Sequence, residues 1–393
     1  MRALLSDLRG REEAMVRLLE TFVRCESPSR DKEAVDRFGR MVAAEWRKRG
    51  AAVRVLHQSR AGNHIRVELG PVGSSHANGR DRGHRGGQVE GQILVLGHLD
   101  TVYPLGEIKR MPFRIVGGKA LGPGTFDMKA GLVMALFAVD ATWATRTNLS
   151  RPLVFLWTSD EEVGSLTSRR EIEKEARQSA AVLVLEPSLG REGRLKTARK
   201  GVGTAEIIVH GRAAHAGIDP GAGVNAVHEL ALQIARLMKM NDAARGITVQ
   251  ATVVSGGTAS NVVPERARAE IDIRFARTAD GRRIERRLRA LRPILKGANL
   301  EVRGGVNRPP LERTSDVRRL FRRARSLMHA GGLKLEEAST GGGSDGNFTS
   351  ALGVPTLDGL GAVGDGAHSA REHVMIRALP ERAALLAGLL ATL

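Results

Sequence analysis

Three short, unbroken apolar runs, at residues 93–96, 153–157 and 182–185, constrain the fold most, because each stops abruptly at ionisable residues. A strand with one face in water alternates apolar and polar side chains. A run that is apolar at every position fits a strand buried on both faces. The first run leads into Gly97-His98-Leu99-Asp100, the second into Ser159-Asp160-Glu161-Glu162, and the third into Glu186-Pro187. Residues 128–145 and 166–178 between them carry helical periodicity. Strands alternating with helices predict an α/β domain, a mixed and largely parallel sheet with helices on both faces. Helices at 2–23 and 31–49 and strands at 52–56 and 63–69 precede it.

The order then changes. Strand 203–210, helix 222–239, strands 247–254 and 266–275, helix 280–294 and strand 299–303 spell β-α-β-β-α-β, a ferredoxin-like pattern. Helix 315–330, strand 354–358 and helix 380–392 return to the first style. The spacing predicts a discontinuous catalytic domain, 1–199 and 308–393, with a smaller domain at 200–307 inserted. Two connections between the domains would allow closure over a substrate.

The 393 residues are too many for one ordinary core. The single cysteine, Cys25, excludes an internal disulfide and a cysteine-rich metal site. A net charge of +18 suggests nucleic acid at first. The densest basic run, 282–289, instead has apolar residues at helical spacing and reads as the outer face of an amphipathic helix. No nucleic-acid partner is therefore expected, and the positive field favours an anionic substrate. Residues 1–20 lack the apolar centre of a signal peptide, and no run is long enough to span a membrane. A cytoplasmic protein with no membrane partner is expected. The tract 74–91, with His76, Asp81 and His84, reads either as a metal tract or, preferably, as a surface loop.

Ligand sites in open α/β sheets lie beyond the carboxyl ends of the strands. His98, Asp100, Glu161, Glu162 and Glu186 are thus expected on one rim, and the Gly/Pro-bounded segment 122–129 adds Asp127. Singly, His98 reads as a strand-end histidine, Glu161-Glu162 as a solvated turn, and Asp127 as a helix cap. Together they repel and are costly to desolvate, which a cation resolves. Oxygen and imidazole donors without sulfur suit zinc, with cobalt or manganese as substitutes. Several carboxylates with histidine also suit two ions bridged by one carboxylate.

Segments 97–102, 122–131, 160–165 and 186–187, with Gly366-Ala367-His368-Ser369, resemble in chain order the dizinc aminoacylase/carboxypeptidase metallopeptidases of the glutamate-carboxypeptidase type. The resemblance implies two zinc ions per subunit. His98 and Glu186 would bind one, Glu162 and His368 the other, and Asp127 would bridge them. Glu161 would be the general base and acid, and Asp100 would orient His98. Some members carry aspartate where Glu186 stands, which bears on subfamily rather than on metal binding. His215, in Gly211-Arg212-Ala213-Ala214-His215-Ala216-Gly217, would donate to the oxyanion, in dimeric relatives to the partner subunit's site; a surface-turn histidine is the alternative. Asn261 would contact substrate. Arg274 would clamp its carboxylate, with a strand-face salt bridge to Asp272 as the alternative.

Gly342 and Gly343, in Thr340-Gly341-Gly342-Gly343-Ser344-Asp345, would lie near the substrate's α-carboxylate. Their alternative is a flexible turn; a phosphate loop would need the Walker lysine. The implied activity is hydrolysis of an amide bond next to a free carboxylate. It would release a C-terminal amino acid, glutamate among the candidates, from a small peptide or N-acyl-amino acid. A deacylase resembling acetylornithine deacetylase or succinyl-diaminopimelate desuccinylase is the second reading. A non-catalytic scaffold is a third, disfavoured by the intact Glu161. The resemblance also implies a homodimer formed through the inserted domain.

Overall fold

The computed structural model describes residues 1–70 and 91–393. His76, Asp81 and His84 lie outside the described residues. Contacts divide the chain into two units. The first comprises Met1–Thr197, Arg313–Ser339 and Ser344–Leu393. The second comprises Ala198–Glu312 and Thr340–Gly343, so the Gly-rich segment joins the second unit rather than the first.

The first unit is built on a six-stranded sheet in the order Ala52–Leu56, His64–Leu69, Leu153–Thr158, Gln92–His98, Ser179–Val184, Thr356–Leu357. The first three strands pair antiparallel, and every pairing from Leu153–Thr158 onward is parallel. The apolar runs are explained by what their two faces touch. Ile93, Val95, Phe155, Trp157 and Leu183 enter one core, with helices Glu12–Arg24, Lys32–Lys48, Ala130–Ala144 and Ala378–Thr392. Leu94, Leu96, Val154, Leu156, Val182 and Val184 enter another, against Ile172, Ala176 and Phe348 of helices Arg169–Ala176 and Gly346–Ala351. Each such side chain contributes about 2 kcal/mol of burial. The helix Ala130–Ala144 is buried on nearly every side, so it shows little amphipathic pattern.

Two features depart from the sequence pattern. The helix expected over 2–23 is two helices, Arg2–Arg9 and Glu12–Arg24, interrupted at Gly10. Glycine costs about 1 kcal/mol inside a helix, which makes it a natural break. A second small sheet also joins Gly364–Asp365, His373–Met375, Lys119–Leu121 and Arg114–Val116, all antiparallel. Strands of two or three residues are too short for periodicity to reveal. This sheet fastens the segment around His368 to the one that leads to Asp127.

The second unit is an antiparallel sheet in the order Thr248–Gly256, Arg266–Phe275, Gly201–His210, Asn299–Arg308. With helices Ala226–Met238 and Thr278–Arg289 its chain order is β-α-β-β-α-β. Its core includes Ile207, Val209, Leu230, Ile271 and Phe275. Ile284 and Leu288 of the basic run point into this core, while Arg282, Arg286, Arg287 and Arg289 are exposed.

Arg382 is buried in the first unit, with no carboxylate ion pair among the described residues. It donates to the carbonyls of Gly361 (3.0 Å), Gly193 (3.1 Å) and Gly359 (2.5 Å). Burial brings its pKa down to about 10, so it is charged at neutral pH. It ties together the loops beside Glu186, where Gly361 donates to the Glu186 carbonyl at 2.9 Å. Arg382→Leu leaves those carbonyls unpaired and should destabilise the first unit by about 3 kcal/mol. A lowered midpoint in urea unfolding checks this; an unchanged midpoint contradicts it.

Candidate active site

The strand register builds the site. His98 lies opposite Thr158, and Leu96 opposite Val184. His98, the turn Glu161–Val163 and Glu186 therefore leave the sheet along one edge. Asp127 reaches the same edge from a loop in which Gly122 (φ +154) and Gly124 (φ +71) take backbone conformations that favour glycine. His368 arrives from the last part of the chain with φ +61, a left-handed conformation costly for a non-glycine residue.

Asp127 stands between two histidines. Its Oδ1 is 3.1 Å from His98 Nε2 and its Oδ2 is 3.4 Å from His368 Nε2. Glu186 Oε1 lies 3.7 Å from His98 Nε2, and Glu162 Oε1 lies 3.2 Å from His368 Nε2. His98, Glu161 and Glu186 each offer a donor atom within 4.8 Å of the others, and so do His98, Asp127 and Glu162. His98 is common to both clusters, and the two oxygens of Asp127 face His98 and His368 separately. Hard oxygen and borderline imidazole donors of this kind fit a pair of divalent ions.

The electrostatics point the same way. Burial alone would lower the pKa of His98, but Asp100 and Asp127 outweigh it and hold the imidazole well above its usual range. Hydrogen bonds to Asp127 and Glu162 raise His368 to about 10. Burial pushes Asp127 up, yet the two histidines overcome this and pull it below the usual carboxylate range. Glu162 is raised, by burial first and by the Asp127 charge as well. Positive charge at the two imidazoles is what keeps Asp127 ionised.

The surroundings fix these side chains. His98 Nδ1 is 2.8 Å from the carbonyl of Asp100 and 3.5 Å from its carboxylate. The backbone carbonyl is thus the nearer acceptor for Nδ1–H, which leaves Nε2 to face Asp127. The Asp100 carboxylate accepts the amides of Glu161 (3.3 Å) and Glu162 (3.2 Å).

Sequence reasoning missed Glu372, four residues after His368. Its Oε1 accepts the amides of Phe126 (2.8 Å) and Asp127 (2.9 Å). Its Oε2 accepts the amide of Gly124 (3.2 Å) and the hydroxyl of Tyr103 (2.5 Å). Burial raises it to about 7 despite these donors. Its spacing from His368 was the only signal, and nothing local marks it as an acceptor for a distant loop.

The remaining candidates lie in the second unit. His215 is exposed, and its Nδ1 accepts the amides of Gly217 and Ile218, both at 3.1 Å. In the neutral ring the proton must then sit on Nε2, which has no acceptor among the described residues. The Asn261 carbonyl accepts the amide of Ala216 at 2.9 Å, which brings Asn261 into the His215 segment. Arg274 makes a bidentate pair with Asp272 (3.0 and 2.8 Å), the strand-face arrangement. The carbonyls of Gly342 and Gly343 accept from Arg199 Nη1 at 3.2 and 3.1 Å.

Comparison with known proteins supplies an independent view. The profile of peptidase family M20/M25/M40 matches residues 94–392. Carboxypeptidase G2 of Pseudomonas sp. (strain RS-16) is 31% identical over 381 residues, 96% of this chain and 88% of that protein. Succinyl-diaminopimelate desuccinylase of Acinetobacter baumannii (strain AYE) is 28% identical over 309 residues, 74% of this chain and 80% of that protein. In fold, the aminopeptidase PepT of Bacillus cereus ATCC 10987 superposes with a TM-score of 0.75 at 20% identity, covering 97% of this chain and 98% of its own.

Metal ions and protons compete for the imidazole nitrogens. His368 is raised, so its proton must leave for a metal to bind, and affinity should climb as pH rises toward about 10. Zinc titration calorimetry in buffers of different ionisation heat should detect proton release at pH 7. Binding without proton release contradicts this charge assignment.

Proposed function

The chain belongs to peptidase family M20/M25/M40, and from that premise we propose that it hydrolyses an amide bond next to a free carboxylate, releasing the C-terminal amino acid of a small peptide or N-acyl-amino acid. The observation that carries this reading is Asp127, whose two oxygens are divided between the His98 and His368 groups. We assign the first group, His98 and Glu186, to one zinc ion and the second, Glu162 and His368, to another, with Asp127 shared. Cobalt and manganese are the substitutes. Such ions, when bound, acidify water and polarise a carbonyl.

The chain's own residues supply the rest. Glu161 takes a proton from the attacking water and returns it to the departing amine. Asp100 holds the Glu161 and Glu162 amides and so fixes the turn that carries the base. His215, through its Nε2–H, is the donor we assign to the developing oxyanion. Asn261, Arg274, Gly342 and Gly343 are assigned to the substrate. Arg274 would exchange the Asp272 carboxylate for that of the substrate, geometry its planar fork suits. Glutamate is our leading released residue, supported by the likeness to carboxypeptidase G2.

The second reading is a deacylase, favoured by the likeness to succinyl-diaminopimelate desuccinylase. Among the described residues no helix is long and apolar enough to cross a membrane. A cytoplasmic homodimer joined through the second unit completes the proposal.

Three measurements test it. Glu161→Gln should lower kcat by about 1,000-fold while the protein keeps its zinc; an unchanged rate removes Glu161 as the base. A panel of N-acyl-glutamates, dipeptides, acetylornithine and succinyl-diaminopimelate should show preference for the first group; preference for either of the last two selects the deacylase. Light scattering should give twice the 42.3 kDa chain mass; a single-chain mass contradicts the dimer.

A further inference from the structure

We propose that Asp345 is a positioning residue for the turn that carries Glu161 and Glu162. The inference rests on the roles given to those two glutamates above. Asp345 is buried, and its carboxylate grips the turn at both ends. Oδ2 accepts from Thr158 Oγ1 at 3.0 Å, and Oδ1 accepts from Ser165 Oγ at 2.5 Å. Thr158 is the last residue of its strand, and Ser165 closes the turn by donating its amide to the Asp160 carbonyl at 2.8 Å. Everything between them, Ser159 through Gly164, is irregular backbone or a single helical turn. Gly164 (φ +100) and Ser165 (φ +58) both have left-handed backbone, so the reversal needs outside support.

The other supports act elsewhere. Asp100 holds the middle through two amides. Asp160 holds Thr167 through its amide and hydroxyl. His64, buried and with its pKa lowered by that burial, meets Ser159 and Thr167. His64 joins Ser159 to Thr167 from one side, and Asp345 joins Thr158 to Ser165 through the two oxygens of a single carboxylate. Its own place is fixed in turn, since neighbouring Ser344 donates from Oγ to Asp358 at 2.6 Å and from its amide to Asn347 at 2.9 Å.

Asp345 also lies two residues after Gly343, where the chain returns from the second unit to the first. Asp345 is thus close in the chain to the Gly-rich segment and hydrogen-bonded to the turn that holds the base.

The selectivity of this arrangement makes it testable. In the assignment above Glu162 is the turn's metal ligand, whereas His98 and Glu186 are carried by segments outside the turn. In full-length protein stripped of metal and titrated with zinc chloride, Asp345→Ala should bind the first equivalent like wild type. The second should bind about 10- to 100-fold more weakly. At saturating zinc, kcat should fall about 100-fold with KM within about threefold, as expected of a displaced base. Asp345→Asn can still meet both hydroxyls, because a hydroxyl accepts as well as donates, and should recover most of the loss. If the alanine variant does not fold, Ser165→Ala, which cuts one anchor, should show the same pattern at about tenfold. A folded Asp345→Ala or Ser165→Ala with wild-type kcat and two tight zinc equivalents overturns the proposal. So does equal weakening of both equivalents. Failure of the underlying mechanism is read separately, from full activity in Glu161→Gln.

Discussion

Mutual repulsion among Asp127, Glu161, Glu162 and Glu186 is the constraint on which the first unit depends. Two like charges about 4 Å apart near a protein surface cost on the order of 4 kcal/mol. Several at one sheet edge would push their loops apart unless cations offset them and the backbone were held fixed. His98 and His368 show the first remedy, since their pKa values rise in response to the acids. The second remedy is structural. Asp100, Asp345 and Glu372 are carboxylates whose lone pairs are taken by neighbouring amides and hydroxyls. The site thus has two kinds of acid. One kind supplies the donor groups, and the other braces the loops that carry them.

The sheet makes such bracing possible. A strand packed on both faces cannot shift without disturbing two cores. His98, Thr158 and Glu186 inherit that rigidity because they sit at or just beyond the ends of such strands. The loops past those ends are free to differ in sequence without moving the frame. The second unit follows another logic, with one sheet, two helices and its own core. Its exposed His215 segment takes its form from local amide contacts rather than from deep burial.

Much of this was legible in the sequence, and the reasons are specific. The runs at 93–96, 153–157 and 182–185 announce two-faced burial, and the ionisable residues after them mark the strand ends. Asp127 was marked by its Gly/Pro-bounded segment, whereas His368 could be placed only by resemblance, because no periodicity leads to it. Glu372 stayed hidden because its partners, Gly124, Phe126, Asp127 and Tyr103, are far away in sequence and mostly backbone. The same holds for His64, an unremarkable strand residue until Ser159 and Thr167 are seen against it. Asp100 was expected to orient His98, and which of its oxygens lies nearer, the backbone carbonyl, was not legible in the sequence. Arg274 illustrates a choice that sequence leaves open, since Asp272 two residues away was always an available partner.

Because the first unit is interrupted, its parts emerge from the ribosome at different times. Asp127 is made well before Glu372, which secures its loop, and before His368, which offsets its charge. The helix Ala378–Thr392, which shares a core with Ala130–Ala144, comes later still. Until residues 313–393 have been translated, the growing chain holds the acids and lacks the elements that organise them. Hydrolytic competence therefore arrives late, after most of the polypeptide has cleared the tunnel, and a chain stalled in the second unit would be inert.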